Sequence, residues 1–341
     1  MTANQAAKTK NREIIEILTF TLPIMLTNVS QNMFNIIDQI IVRSYSGDHA
    51  IAAIGATSSL SSMFVNLVIG VSVGASAVIA RRIGSQDKVA VRNSIHTSMG
   101  LGFLGGLAAC LICLLLGRPI LMLMKTPKTI LGEAVGYLSV LSVSFLPQAV
   151  YNFSAAALRA RGDTKRPLYF LAVAGVVKTG LTFLIVAVMG ADVAWIPLST
   201  VASFTVASIL AIHALSKQHG EYHLRLLDIR LHGREVKDIM ATGVPIGLMN
   251  SFMALSNVVM QSAVNSFDEP GIAGIAGANH VNNTLYYVAN SFSHSSTIYC
   301  SMRYGANDRK GFKRSLAICL AWMVFCSLMV GAVVFDSDES F

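Results

Sequence analysis

Apolar windows of about 20 residues recur along this chain, at roughly 17–42, 51–80, 94–117, 131–157, 167–190, 193–216, 241–266, 271–302 and 315–335. Each is long enough, at about 1.5 Å of rise per residue, to cross about 30 Å of hydrocarbon. In lipid every backbone donor and acceptor must be satisfied within the protein, so such windows fold as helices. The predicted fold class is therefore an all-α integral membrane protein of about nine transmembrane helices. A composition of 53% hydrophobic and 13% charged residues excludes an ordinary soluble domain.

Basic residues give the chain an orientation. Lys8, Lys10 and Arg12, then Arg81, Arg82, Lys88 and Arg92, then Arg159, Arg161, Lys165 and Arg166 fall on one side, with further clusters in 217–237 and 303–314. The opposite side carries Arg43, Arg118, Lys125 and Lys128. The richer side is expected to be cytoplasmic, which puts the N-terminus there and the protein in the plasma membrane as a multi-pass chain. The net charge of +8 then reports topology rather than nucleic acid binding. The first apolar run continues past Val42 with no small-residue cleavage site, so it reads as a retained span. All five cysteines lie in or beside spans and are read as packing residues, without disulfides. His219, His223 and His232 in the 217–240 linker read as loop residues, not as metal ligands.

The first window carries two groups that are costly at lipid depth. Pro23 removes a helical hydrogen bond and predicts a bend. Asp38, about 22 Å further along the helix, is a carboxylate inside a span and marks a functional site unless it is neutralised or hydrated. Asn28, Gln31, Asn32, Asn35 and Asp38 recur at spacings of three and four, which gives the helix one polar, cavity-lining face; the alternative use of the amides is a seam between helices. Gly70/Gly74 and Gly102/Gly106 have the spacing that lets helix backbones approach.

The chain repeats itself. Pro23-Ile24 returns as Pro245-Ile246, and Asn35 to Tyr45 aligns with Asn257 to Phe267, at an offset of 222; the loop from Arg82 to Ser94 returns from Arg303 to Ser315 at 221. Two such copies describe parallel six-helix lobes related by an axis along the membrane normal. Residues 1–216 form the first lobe, 217–240 the linker and 241–341 half of the second, three helices short of a full repeat. Met260 stands where the first copy has Asp38, so the halves share a scaffold but not a chemistry.

The proline-to-aspartate first span, the two Arg-x-Gly-x-x-Asp-[Lys/Arg] loops and Arg159-Ala-Arg-Gly-Asp-Thr-Lys-Arg-Pro167 together resemble the multidrug and toxic compound extrusion family, in its Asp-bearing bacterial branch. The resemblance implies a secondary-active antiporter that exports small amphipathic or drug-like compounds in exchange for H⁺ or Na⁺ by alternating between inward- and outward-facing states. It implies an ion site at Asp38, Tyr137 and Thr200, with Pro23 as a gating kink. On the fifth helix the family offers an asparagine and an aspartate where this chain has Lys178 and Thr182. If Lys178 reaches Asp38, it holds the carboxylate ionised and repels Na⁺; the pair is then either a permanent lock or one that an anionic substrate opens. The alternatives are a lipid-linked oligosaccharide flippase of the same superfamily, an inactive truncated fragment, or one that acts by associating with a full-length copy. No phosphate loop or nucleophile cluster is present in the sequence, so neither an enzyme nor a cofactor is expected. The partners implied are a small-molecule substrate and the lipid bilayer.

Overall fold

The computed structural model describes the backbone of residues 3–124, 126–264 and 269–338, with side chains described except at 1–11, 48–49, 125, 255, 257–259, 261–281 and 333–341. The described chain is helical nearly throughout, without strands. We number the long helices α1 (Arg12–Gly47), α2 (Ala50–Gly84), α3 (Lys88–Leu123), α4 (Lys128–Ala160), α5 (Lys165–Val188), α6 (Val193–Ser216), α7 (Gly233–Val264), α8 (Glu269–Gly305) and α9 (Arg309–Asp338). Seven of these, α1 to α6 and α9, are long and apolar enough among the described residues to cross a membrane.

Helical torsions run through Pro23 without interruption, so the proline does not break α1. The carbonyl of Pro23 takes a hydrogen bond from the Thr27 hydroxyl at 2.7 Å. The interruption between α1 and α2 falls at Gly47, with φ +75° and ψ −175°, a conformation that a side chain disfavours. Leu111, Leu114, Leu115 and Leu116 on α3 are exposed, as expected of a face that meets lipid tails rather than water.

Much of the described contact between the lobes sets α1 against α8 and α2 against α7. Gly70 and Gly74 on α2 lie directly on Gly247 and Gly243 of α7, so a methyl group at any of them would collide with the facing backbone. Along α1, Thr21 donates to Ser295 at 2.8 Å and Asn28 to Ser291 at 3.1 Å, while Tyr287 of α8 donates to Asn32 at 3.2 Å. Between the lobes the linker folds back on α3: Arg92 pairs with Asp228 at 2.8 Å, His96 Nε2 accepts from the Arg225 amide, and the His232 amide donates to Thr97. The buried core at the basic end is apolar and continuous across both lobes, from Phe20 and Ile79 to Ile239 and Ile298.

Candidate functional site

At 100° per residue, Gln31, Asn35 and Asp38 fall within about 60° of one another on α1, while Asn28 and Asn32 lie roughly 70° further round. The structure uses the two rows differently. Asn28 and Asn32 bond to α8 and form a seam between lobes, the other use that the sequence offered for these amides. Gln31 and Asn35 line a cavity of about 380 Å³ inside the first lobe. Met33, Ile36 and Ile37 are exposed on the other side of the helix.

Opposite this row stands α5. Phe34 inserts its ring where a side chain at Gly175 would be, so α1 and α5 approach closely at that level. Three residues on, and so on the same face of α5, Lys178 reaches across. Its Nζ lies 2.7 Å from Asp38 Oδ2 and donates to Asn35 Oδ1 at 2.8 Å. The side chains of Lys178 and Asp38 are 19% and 12% exposed. The contact is an ion pair rather than a well-formed hydrogen bond. Both carboxylate oxygens are sealed from solvent, and neither has a hydrogen-bond donor in good geometry among the described residues. A buried carboxylate with open acceptor sites is costly and leaves room for a proton or cation.

Tyr137 and Thr200 line the same cavity as Lys178, with Ser61, Ser62, Asn66, Gln148 and Ser203 supplying further polar groups. Tyr137 also packs against the apolar cluster of Val42, Ala50, Ile185, Val186 and Ile196, which closes the site at the end away from the basic loops. Thr182 does not join the carboxylate. It is buried and donates to Ser199 of α6 at 2.9 Å, so it holds α5 to α6. Just beyond it, Leu184–Val188 makes one π-helical turn, a widening of α5 that its apolar sequence does not announce. In the second repeat, Met260 is 48% exposed, while its neighbours at 257–259 and 261–281 lie outside the described side chains.

The MatE family model matches residues 23–184 and 245–339, beginning at the first and second repeat prolines. Among curated proteins, the chain is 25% identical over 287 residues to "Probable multidrug resistance protein YpnP" of Bacillus subtilis, covering 81% of this chain and 62% of that protein. It is 23% identical over 320 residues to the FAD transporter of Shewanella oneidensis, covering 92% and 70%. The chain thus spans less than two thirds of the first of these relatives. Among solved structures, an outward-facing multidrug resistance MATE family transporter of the MOP superfamily superposes with a TM-score of 0.84 at 22% identity, over 96% of this chain and 73% of that one. With a family match over most of its length, in two segments that open on Pro23 and Pro245, the chain belongs to the MatE family.

Proposed function

We propose that this chain works as a secondary-active antiporter, exporting small amphipathic compounds in exchange for H⁺ or Na⁺, with Asp38 as the coupling carboxylate. One observation carries the reading: a buried carboxylate with unfilled acceptor positions, balanced by a single ammonium, beside a polar cavity at lipid depth. A charge kept there against the cost of burial needs a task, and exchange of a cation at Asp38 is one. Tyr137 and Thr200 face the same space and would bind or orient the exchanged ion or its water. Membership of the MatE family supports transport, and the matches named above are to multidrug and FAD transporters rather than flippases. The basic loops would face the cytoplasm, in the plasma membrane.

Everted vesicles carrying the chain test this. Asp38→Asn is expected to abolish gradient-driven movement of a fluorescent substrate while leaving the amount of protein in the membrane unchanged. Movement at the parental rate would remove Asp38 from the coupling role.

A further inference from the structure

We propose that the compound held in the first-lobe cavity is an organic anion or zwitterion, its carboxylate or phosphate set against Lys178. The proposal rests on the transport reading for its purpose, though not for its geometry. Among the described residues lining the cavity, Lys178 is the one charged side chain; the rest of the polar lining is amide, hydroxyl and phenol. Asp38, the counter-charge, lies behind the ammonium with both oxygens sealed from solvent. A cationic guest would therefore meet a like charge first. An anionic guest would meet an ammonium ringed by neutral donors at Gln31, Asn66 and Gln148, which can each give an N–H to a carboxylate or phosphate. Lys178 already gives a hydrogen bond to Asn35 and its charge to Asp38, so an arriving anion competes with the carboxylate for the same ammonium. Loosening of that pair by the guest would link substrate to the ion exchanged at Asp38 through one lysine.

The test is equilibrium binding to the purified chain in lipid nanodiscs, read by fluorescence, with two probes of similar size: dansylglycine, an anion, and dansylcholine, a cation. Dansylglycine is expected to bind, with affinity falling about tenfold or more in Lys178→Gln and surviving in Lys178→Arg, as loss of a charge-assisted contact implies. Dansylcholine is expected to bind weakly to the parent and better to Lys178→Gln. Dansylglycine affinity unchanged by Lys178→Gln, or preference of the parent for dansylcholine, overturns the proposal. Lys178-dependent binding without gradient-driven export would instead overturn the transport reading and leave the binding site standing.

A different set of residues carries a second inference. We infer that two reciprocal clasps lock the lobes together at the basic face and must part for the transporter to open there. Glu235, near the start of α7, is buried and accepts from Arg82 at 2.9 Å and from Ser94 at 2.7 Å, both on the first repeat. Glu13, near the start of α1, is buried and accepts from Arg303 at 3.3 Å and Ser315 at 3.2 Å, both on the second, with Arg314 at 2.9 Å. Glu13 and Glu235 occupy the same position of the repeat, as do Arg82 and Arg303, and Ser94 and Ser315. Each glutamate is thus held by the other lobe. Between the clasps the ends of α2 and α8 cross backbone to backbone: a side chain at Gly84 would strike the Met302 carbonyl, and one at Gly305 the Arg81 carbonyl. Around them Asp238 pairs with Arg81 and Arg82, and Asp308 with Arg303.

Spin labels on Ser85→Cys and Ala306→Cys, both exposed loop positions, report the gap across this face once the five native cysteines are replaced by alanine. Glu13→Gln with Glu235→Gln is expected to add a longer-distance population that the parent lacks. The charge swap Arg82→Glu with Glu235→Arg, combined with unchanged Glu13, is expected to restore the parental distribution lost in Glu235→Arg alone. A double glutamine variant with the parental distances, or a swap that restores nothing, contradicts the latch.

Discussion

Set side by side, the two repeats agree where they close and differ where they carry charge. At the end of α2, Gln86 adopts φ +57° and Asp87 caps α3 by accepting from the Ala90 amide at 3.0 Å; at the end of α8, Asn307 adopts φ +55° and Asp308 caps α9 through the Gly311 amide at 2.8 Å. The glutamate clasps are duplicated in the same way. Asp38 is not: its counterpart is Met260, exposed and apolar. Duplication preserved the parts by which lobes recognise each other, while the buried carboxylate and its lysine belong to one copy. A lobe-to-lobe contact needs both partners, whereas a single carboxylate suffices to couple one ion.

The comparison is broken most directly by removing one member of the charged pair. Lys178→Met leaves Asp38 buried without a cation and is expected to destabilise the chain by about 3 kcal/mol, while Met260→Ala at the equivalent place changes it by less than about 1 kcal/mol. Thermal unfolding in nanodiscs measures both, and equal losses would mean that the halves are energetically alike at this level.

Next in size is the difference between the two clasps. Arg82 and Glu235 are 13% and 6% exposed, whereas Arg303 and Glu13 are 42% and 9%. Arg82→Ala is expected to cost about 3 kcal/mol and Arg303→Ala about 1 kcal/mol, since solvent screens the second pair and Arg314 remains beside Glu13. A larger loss at Arg303 in the same unfolding assay would reverse the assignment of the tighter clasp.

Thr182→Val sharpens the boundary of the ion site. It removes the hydrogen bond to Ser199 and is expected to cost about 1 kcal/mol of stability with ion binding unchanged. Reduced ion affinity, measured by isothermal titration calorimetry, would return Thr182 to the site. The smallest effect concerns the two left-handed residues. Gln86→Gly is expected to gain up to about 0.5 kcal/mol and Asn307→Gly less, because asparagine tolerates positive φ better than glutamine. An equal gain at both would deny that distinction.

Much of this was legible in the residues. Window length placed the helices, the offset of 222 related the two halves, and the possibility that Lys178 meets Asp38 followed from a lysine standing on the fifth helix. Spacing alone could not separate Asn28 and Asn32 from Gln31 and Asn35, because all four fall within one broad arc and only the position of α8 divides it. Thr182 lies one turn beyond Lys178, yet a hydroxyl bonds its nearest acceptor, and the packing of α6 put Ser199 there. Pro23 predicted a bend; α1 keeps helical torsions through it, and the interruption of those torsions falls at Gly47. The clasps had a signal in Glu13 and Glu235 at the repeat offset; carboxylates near span ends read as ordinary interfacial charge until both are seen bound by the opposite lobe.

The central proposal is that Asp38, held by Lys178, is the carboxylate at which the coupling cation is exchanged. Infrared difference spectroscopy, recorded on the reconstituted chain as H⁺ or Na⁺ on both sides is stepped, reads carboxyl groups directly. The account predicts a carboxyl band in the parent's difference spectrum that vanishes in Asp38→Asn and changes in frequency or amplitude in Lys178→Met. A band that survives Asp38→Asn, or one that Lys178→Met leaves untouched, would contradict it.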